Sequence, residues 1–491
     1  MIIIRFVMID SYAATFPMES SMKQRIRARF PASQLCTLAS LIGLMSLGMQ
    51  AAMAQSAFDT PDPDYQGQIM AVPAEGGAIT AGSDVNLMGR GFKPGQHITL
   101  TRGTTVLNTD AYVADSQGAF KGALKVPADA AVGQQPIVVT VTHPSAAAVL
   151  PLKVSPVLPL SGTDRFKQTS AKLVPGLYQS AVSAKTGAVF VTSAVGRPPV
   201  KQSQLLKLNP KTLAIEARTT PAAAAAGGEV FAVYGVGVDD RNGTVWVTNT
   251  RQSSVAVYRQ SDLALVKQFA PDTVAHARDV VIDTALDKAF AGATGSAKIV
   301  MFDAGTQTVE RNIEINSSLR GEQAAAFSVA SLHLDTQTHT LYTVSLSTNE
   351  AAIIDAKTGK VEKVFPIEGV KMAMGVAYDG KTNRLFVAGQ NSDNLAIVDV
   401  ATGKTLHLVP TGAGPLNVTF DPVKRLAYVS NRGAGTVTVV DADGKQVANL
   451  DDGTFPNHVA TDAQGNVYAV NKSKGPDDQD GDRITRITQL R

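Results

Sequence analysis

The chain has 491 residues, 44% of them hydrophobic and 18% charged, which is enough for two or three domains. Its one cysteine, Cys36, lies in the N-terminal stretch, so residues 55–491 hold no thiol for a disulfide, a metal site or a nucleophile. That stretch also carries five of the 45 basic and two of the 42 acidic residues, so the formal charge of +3 belongs to it and residues 55–491 are neutral. Total charge therefore favours neither nucleic acid nor a membrane surface as partner.

Residues 1–54 have the pattern of an upstream extension followed by a cleaved signal peptide, with translation starting at Met22. Four basic residues fall within residues 23–29, a short apolar run covers residues 35–49, and Ala52, Met53 and Ala54 provide a small-residue cleavage site. The apolar run is too short to span a bilayer, and no similar run follows it. We expect a periplasmic protein without a membrane span in the mature chain. Residues 55–65 are expected to form a linker between the cleavage site and the first domain. An uncleaved anchor is the alternative.

Residues 66–155 alternate short β-rich runs, as at 84–88, 97–100 and 136–141, with turns rich in Gly and Pro. This pattern predicts a small all-β sandwich. The stretch over residues 89–96 resembles the bacterial immunoglobulin-like modules that are fused to many exported proteins. The resemblance implies a spacer, or a module that docks on another envelope protein. A second linker is expected over residues 156–164.

Residues 165–491 repeat with a period of roughly 40–45 residues and four short β-rich segments per unit, which is typical of propeller blades. The first segment of each unit ends in a marker residue, and the markers are Ser183, Asp239, Asp283, Asp335, Asp379, Asp421 and Asp462. Their spacings are 56, 44, 52, 44, 42 and 41. We therefore predict an all-β chain in which the sandwich precedes a seven-bladed β-propeller. The last unit has only three segments, so residues 166–174 are expected to supply its fourth and close the ring.

The second segments share a pattern that is clearest at residues 246–249, 428–431 and 468–471, and the turn at residues 356–359 recurs at 401–404. With the blade openings at residues 276–281 and 456–459, these features resemble the YncE family of periplasmic seven-bladed propellers built of YVTN repeats. The resemblance implies an association with single-stranded DNA. Residues 66–155 have no counterpart in a bare propeller of this family.

The loops after second and fourth strands of a propeller share one face, here called the mouth. Cations on these loops, with aromatic rings between them, would suit a flexible polyanion such as single-stranded DNA, because phosphates attract cations and bases stack on rings. The predicted site residues are Arg197, Arg251, Arg278, Arg432, Lys472, Lys474, Tyr234, Phe231, Phe327, His276 and His458. No cofactor or metal is predicted, and the favoured function is a non-catalytic binding scaffold.

Three alternatives stay open at this point. The propeller could be an enzyme or a redox-associated protein that acts on a small molecule in the channel, with His276, His458 and Arg278 as an anion or metal site. It could instead be an envelope interaction module. The acidic residues at 477–482 could form a calcium loop, although the spacing departs from the helix-flanked pattern and favours a solvated hairpin.

Overall fold

The computed structural model describes residues 60–225 and 227–490, so the signal peptide expected within residues 1–54 lies outside the described residues. Regular structure in the described part is almost entirely β. The only helical segments there are three short 3₁₀ turns, Thr163–Arg165, Thr250–Gln252 and Gly321–Gln323. None of the helices found between residues 60 and 490 could cross a membrane.

The N-terminal part is a β-sandwich of two antiparallel sheets. Its strands are β1 (Gln68–Pro73), β2 (Asp84–Arg90), β3 (His97–Arg102), β4 (Thr105–Val106), β5 (Tyr112–Val113), β6 (Phe120–Lys125), β7 (Gly133–Thr142) and β8 (Ala146–Val154). One sheet has the order β1-β2-β6, and the other has the order β4-β3-β7-β8 with β5 on β3. Alternate residues of β2 are buried, as expected for a strand with one face on a core. That core includes Leu87, Ile98 and Val139.

The described residues after the sandwich form seven four-stranded antiparallel sheets, blades 1 to 7. The first strands are β10 (Leu177–Val182), β16 (Val233–Asp239), β20 (Ala277–Asp283), β24 (Val329–Asp335), β28 (Ala373–Asp379), β32 (Pro415–Asp421) and β36 (Pro456–Thr461). The second strands are β11 (Val189–Val195), β17 (Thr244–Asn249), β21 (Lys288–Ala293), β25 (Thr340–Ser345), β29 (Arg384–Gly389), β33 (Leu426–Asn431) and β37 (Asn466–Asn471).

The third strands are β12 (Gln202–Leu208), β18 (Ser254–Arg259), β22 (Lys298–Asp303), β26 (Glu350–Asp355), β30 (Asn394–Asp399), β34 (Thr436–Asp441) and β38 (Arg483–Gln489). The outer strands are β13 (Ile215–Thr219), β19 (Leu265–Gln268), β23 (Thr308–Glu314), β27 (Lys360–Pro366), β31 (Thr405–Pro410), β35 (Gln446–Asp451) and, in blade 7, β9 (Phe166–Lys172). The first strands of neighbouring blades contact each other all the way round, and β10 contacts β36. The all-β class and the seven-bladed propeller are therefore confirmed.

The strand that closes the ring comes from the start of the propeller, as the sequence predicts. All seven residues of β9 pair antiparallel with β38, from Phe166 opposite Gln489 to Lys172 opposite Arg483. The Phe166 ring is buried and packs edge-on against Tyr428 of blade 6, with the ring centroids 6.3 Å apart. The closure thus combines main-chain pairing with core packing, and it covers a sheet edge that would otherwise be open.

Two insertions account for the long spacings of 56 and 52 between markers. Between blades 1 and 2, the chain adds a hairpin of β14 (Ala223–Ala225) and β15 (Glu229–Val230). Between blades 3 and 4, it adds a loop that contains the 3₁₀ turn Gly321–Gln323. Both insertions follow an outer strand, so they lie on the mouth side of the ring.

The sandwich is attached to the mouth side of blades 5 and 6. Lys153 Nζ, on β8, donates to Asp393 Oδ1 at 2.7 Å and to the Gln390 carbonyl at 3.0 Å, both in the loop after β29. Asp393 is buried, so this ion pair is largely shielded from water. The connecting segment adds a bridge between Ser161 and Asn449 of β35. These contacts place the sandwich beside the mouth.

Candidate functional site

A β-bulge occurs at the mouth end of every first strand, where pairing with the second strand shifts register. A bulge bends a strand and re-aims its side chains, and bulges concentrate at the rims of rings and barrels. The bulged positions lie five and four residues before each marker. The upper ring, at minus five, consists of Tyr178, Tyr234, Arg278, Ala330, Met374, Leu416 and Asn457. The lower ring, at minus four, consists of Gln179, Gly235, Asp279, Ser331, Gly375, Asn417 and His458.

Two tyrosines of the upper ring form the centre of a cationic cluster. The rings of Tyr178 and Tyr234 meet edge to face with centroids 3.9 Å apart. Lys472 Nζ lies 3.3 Å from the centroid of Tyr178, while Arg251 Nε donates to Tyr234 Oη at 3.0 Å. Lys472 is only 7% exposed, so its ammonium group has exchanged much of its hydration for the aromatic face. The rings therefore hold two cations in place at the mouth.

Arg278 and the neighbouring imidazole of His276 continue the cluster on blade 3. Arg278 Nη1 donates to Ser331 Oγ at 3.1 Å, and its side chain is 15% exposed. His276 opens the same blade. Burial lowers the pKa of His276, and the positive charges of Arg251 and Arg278 lower it further. The potential around this imidazole is therefore positive, which would attract an anionic group.

Blades 6 and 7 add Arg432 to the cluster. Arg432 Nη1 donates to Asn457 Oδ1 at 2.8 Å, and Asn457 Nδ2 donates to the Tyr178 carbonyl at 2.7 Å. The guanidinium group also lies 5.0 Å from the centroid of the Phe455 ring. Arg251, Arg278, Arg432 and Lys472 are called the cation cluster below, and the imidazole of His276 lies beside Arg251 and Arg278.

The lower ring is polar and tightly hydrogen-bonded. Gln179 Nε2 donates to Asp279 Oδ1 at 2.7 Å, from blade 1 to blade 3, and the Leu332 amide donates to Asp279 Oδ2 at 3.0 Å. This link crosses blade 2 at Gly235, where a Cβ atom would lie 1.9 Å from the Arg278 carbonyl oxygen. Only glycine permits that approach.

His458 completes the lower ring from blade 7. The Ser180 amide donates to His458 Nδ1 at 3.4 Å, which fixes the proton of the neutral ring on Nε2. Burial lowers the pKa of His458 to about 4; the charge of Asp279 opposes this shift, and that of Arg278 adds to it. The imidazole is therefore neutral near pH 7, suited to hydrogen bonding rather than to carrying charge.

The predicted site residues divide into three groups. The structure brings together Arg251, Arg278, His276, Arg432, Lys472, Tyr234 and His458. Arg197 and Lys474 lie on mouth-side loops and are exposed. Phe327 is 1% exposed within the core between blades 3 and 4, and Phe231 is 7% exposed. The expectation that these two phenylalanines offer stacking surfaces is wrong, because both rings are already buried.

Sequence reasoning missed Tyr178, Gln179, Asp279 and Asn457. A signal for them was present, because all four lie five or four residues before a marker, in register with Tyr234, Arg278 and His458. Comparing the residues at these two positions in all seven repeats would have identified both rings. The bulge that shifts the pairing at these positions has no such signature in the alternation of apolar residues.

The acidic stretch near the C-terminus is not the solvated hairpin that the sequence favours. Asp482 Oδ1 accepts from the Gly176 amide at 2.8 Å and from the Ser473 amide at 3.2 Å, and Asp478 Oδ2 accepts from the Lys474 amide at 3.0 Å. Both carboxylates are buried: Asp482 holds the loop against the segment that enters blade 1, and Asp478 accepts from Thr454 Oγ1 at 3.1 Å, whereas Asp477 and Asp480 are exposed. Across residues 60–225 and 227–490, no three His, Cys, Asp or Glu side chains are grouped to hold a metal ion.

Comparisons with known proteins address the fold. No protein-family model matches the chain, and no curated protein matches it in sequence. Among solved structures, hydrazine synthase of Kuenenia stuttgartiensis is similar with a TM-score of 0.51 and 16% identity, over 65% of this chain and 97% of that one. Virginiamycin B lyase from Staphylococcus aureus is similar with a TM-score of 0.51 and 14% identity, over 66% of this chain and 100% of that one. At these identities the likeness concerns the propeller fold alone.

Proposed function

We propose that this protein is an exported binding scaffold whose propeller mouth holds an anionic ligand, and that a flexible polyanion such as single-stranded DNA fits it. The observation that carries the proposal is the cation cluster. It gathers three arginines and one lysine from blades 2, 3, 6 and 7, against the single carboxylate of Asp279 in the rings, which lies 3.9 Å from Arg278 Nε. Export rests on the leader pattern, and the YncE resemblance supports the choice of polyanion.

The cluster is suited to binding because its cations are preorganised. Ring faces and hydrogen bonds already hold Lys472, Arg251 and Arg278, so little side-chain freedom is lost when an anion arrives. Their partial burial also strengthens attraction to an anion compared with charges in open solvent. Both features favour binding at a fixed place on the mouth.

The buried rings set the expected mode of binding. Tyr234 is 7% exposed and Lys472 covers one face of Tyr178, so these rings have little surface for stacking with bases. We therefore expect contacts to phosphates rather than to bases. Such binding is insensitive to base sequence and depends steeply on salt.

A titration of the mature protein with labelled single-stranded oligonucleotides, at a series of salt concentrations, tests this proposal. The expected result is a linear fall of log affinity with log salt, the same for different base compositions, and competition by inorganic polyphosphate, which has no bases. Absence of affinity at low salt, where attraction is least screened, would overturn the proposal for polyanions. A salt-insensitive interaction would overturn its electrostatic basis.

An enzyme acting on a small molecule is the second candidate, because Asp279 and Arg278 lie near enough to His458 for their charges to act on its pKa. The low pKa of His458 makes it a weak base near neutral pH, and both Asp279 oxygens accept hydrogen bonds from the protein. These features favour holding a ligand over transferring its protons. Turnover of any small anion that the Asp279→Asn variant abolishes without weakening ligand binding would favour the enzyme instead.

A further inference from the structure

The sandwich contacts the mouth at the loop that holds Arg432, the member of the cation cluster on blade 6. Gly77, in the connection between β1 and β2, is so near this loop that a Cβ atom on it would lie 3.1 Å from the Gly433 carbonyl oxygen. A Cβ atom on Gly433 would in turn lie 3.2 Å from the Cβ atom of Ala78. The backbone next to Arg432 is therefore packed directly against the sandwich.

A second contact reaches the same loop through the buried carboxylate of Asp393. Lys153 Nζ and the Gly414 amide both donate to Asp393 Oδ1, each at 2.7 Å. The Gly414 carbonyl then accepts from the Arg432 amide at 2.9 Å. The side chains of Lys153 and Asp393 are 24% and 6% exposed, so solvent screens their ion pair only weakly. An unbroken series of polar contacts thus runs from the sandwich to the backbone of Arg432.

The two contacts belong to one connected part of the sandwich. The Ser155 amide, just after the end of β8, donates to the Ile79 carbonyl at 2.7 Å. Ile79 follows Ala78 and is buried in the core of the sandwich, while Ser155 lies two residues after Lys153. A movement of the sandwich would therefore change both contacts with the mouth at once.

The sandwich contacts the backbone of the Arg432 loop, whereas the guanidinium group reaches the start of blade 7. There Arg432 Nη1 donates to Asn457 Oδ1 at 2.8 Å, and the guanidinium group lies 5.0 Å from the centroid of the Phe455 ring. Neither contact with the sandwich uses the guanidinium group. Both contacts therefore fix the position of this cation without competing for it.

We propose that the docked sandwich positions Arg432 in the cation cluster, so that docking of the sandwich and binding of a polyanion at the mouth strengthen each other. The positioning concerns the protein alone, whereas the coupling rests on the proposed function. Such coupling is reciprocal: detachment of the sandwich weakens binding at the mouth, and a bound polyanion holds the sandwich more firmly. Lys153 and Asp393 are positioning residues, because they act through Arg432.

Hydrogen–deuterium exchange in the free mature protein tests the positioning without any ligand. The amides of Arg432 and Gly433 donate to carbonyls at the start of blade 6 at 2.9 Å, and they should exchange several-fold faster in Lys153→Ala. Lys153→Arg keeps the cation and should restore slow exchange. Lys125→Ala removes an exposed cation from the sandwich and should leave exchange unchanged. Unchanged exchange in Lys153→Ala would overturn the proposal, whether or not the mouth binds a polyanion.

Titration with single-stranded oligonucleotides tests the coupling. Lys153→Ala should weaken binding and lower the salt slope by at most about 0.7, the share of one phosphate contact, and Lys125→Ala should do neither. In an Arg432→Ala background, Lys153→Ala should have no further effect, because it acts through Arg432.

The contrary outcomes of the titration have different meanings. Additive losses in the Arg432→Ala background would show that Lys153 contacts phosphate itself, and tighter binding by Lys153→Ala would show that the sandwich blocks the mouth. Either result would overturn the coupling. If the unmodified protein binds no oligonucleotide while exchange at Arg432 responds as expected, the proposed function fails and the coupling with it, whereas the positioning of Arg432 by the sandwich stands.

Discussion

Arg425 of blade 6 makes a bidentate ion pair with the buried Asp379 of blade 5, so the marker carboxylate of one blade is held by a turn of the next. The same arrangement joins blades 3 and 4, where Asp283 Oδ2 lies 2.7 Å from His339 Nδ1. Arg425 and His339 occupy equivalent turn positions, four residues after their own markers. Such contacts fasten neighbouring blades on the side opposite the mouth.

Replacing Arg425 with alanine should destabilise the propeller by about 3 kcal/mol, because it leaves the buried carboxylate of Asp379 without a counter-charge. Urea unfolding followed by Trp246 fluorescence measures the change. Arg259→Ala is the control, since Arg259 pairs with Asp262 at 2.8 Å with both side chains more than half exposed, and its loss should cost far less. Equal effects of the two substitutions would contradict this interpretation.

Among the described residues, no such pairing of a marker carboxylate with a turn side chain joins blade 6 to blade 7. The equivalent turn of blade 7 has Gly465 near the carboxylate of Asp421, whose Oδ2 has no hydrogen-bond partner within the described chain. Burial raises the pKa of Asp421. For Asp379, burial acts in the same direction, but hydrogen bonds from Arg425 and Thr382 outweigh it and the pKa is lowered. The pKa values of these two equivalent carboxylates are thus shifted in opposite directions.

The contrast predicts opposite effects of the same substitution. The stability contributed by Asp379 is present above the ordinary pKa of an aspartate and is lost as pH falls through the lowered pKa of the folded state. The stability contributed by Asp421 is present below that ordinary pKa and is lost as pH rises through the raised pKa of the folded state. At neutral pH, Asp379→Asn should therefore destabilise the fold. Asp421→Asn should be neutral or stabilising, because its amide oxygen can still accept from the Val423 amide. Melting temperatures across acidic and neutral pH check both, and a loss of stability in Asp421→Asn at neutral pH would count against the argument.

Removing the closing strand should cost much more stability than removing the sandwich. Deletion of residues 166–172 exposes an edge of β38 and withdraws Phe166 from its core, whereas deletion of residues 55–155 removes a tethered module. Calorimetry of the two truncated proteins gives the comparison. A larger loss from the second deletion would mean that the sandwich, not the closing strand, secures the ring.

The repeat and its closure could be predicted because they depend on features that recur in the sequence. Seven markers, spaced regularly except at two insertions, define the blades. The site was only partly predictable. Whether a ring such as Phe327 is buried or exposed depends on the path of an inserted loop, and the link from Gln179 to Asp279 depends on two bulges and the space left by Gly235. These are tertiary relationships without a local pattern.

Lys153→Ala should release the sandwich from the mouth. The substitution removes the ion pair with buried Asp393 and leaves that carboxylate without its cation, although the Gly414 amide still donates to it at 2.7 Å. Limited proteolysis should then cut the connecting residues 156–164 faster. The control is Lys125→Ala, which breaks an exposed ion pair with Asp84 on the sandwich itself. Unchanged cleavage in Lys153→Ala would show that other contacts hold the module.

The double variant Arg251→Ala/Arg432→Ala should weaken binding of single-stranded oligonucleotides and reduce the salt slope. Each lost phosphate contact removes about 0.7 from the slope for a single strand, so the reduction should not exceed about 1.4. Replacing Tyr234 should act differently, because its ring supports Arg251 rather than meeting phosphate directly. We expect Tyr234→Phe, which keeps the ring and removes only the hydroxyl, to weaken binding less than the double variant does.

The matched control for this experiment is Lys357→Ala/Lys404→Ala. It removes two exposed charges from hairpins between third and outer strands, on the side away from the mouth, and so changes the net charge equally. If the cation cluster is the binding surface, this control should keep nearly the full affinity and slope. Equal losses in the two double variants would mean that oligonucleotides respond only to total charge, and the mouth would then have no special role in binding them.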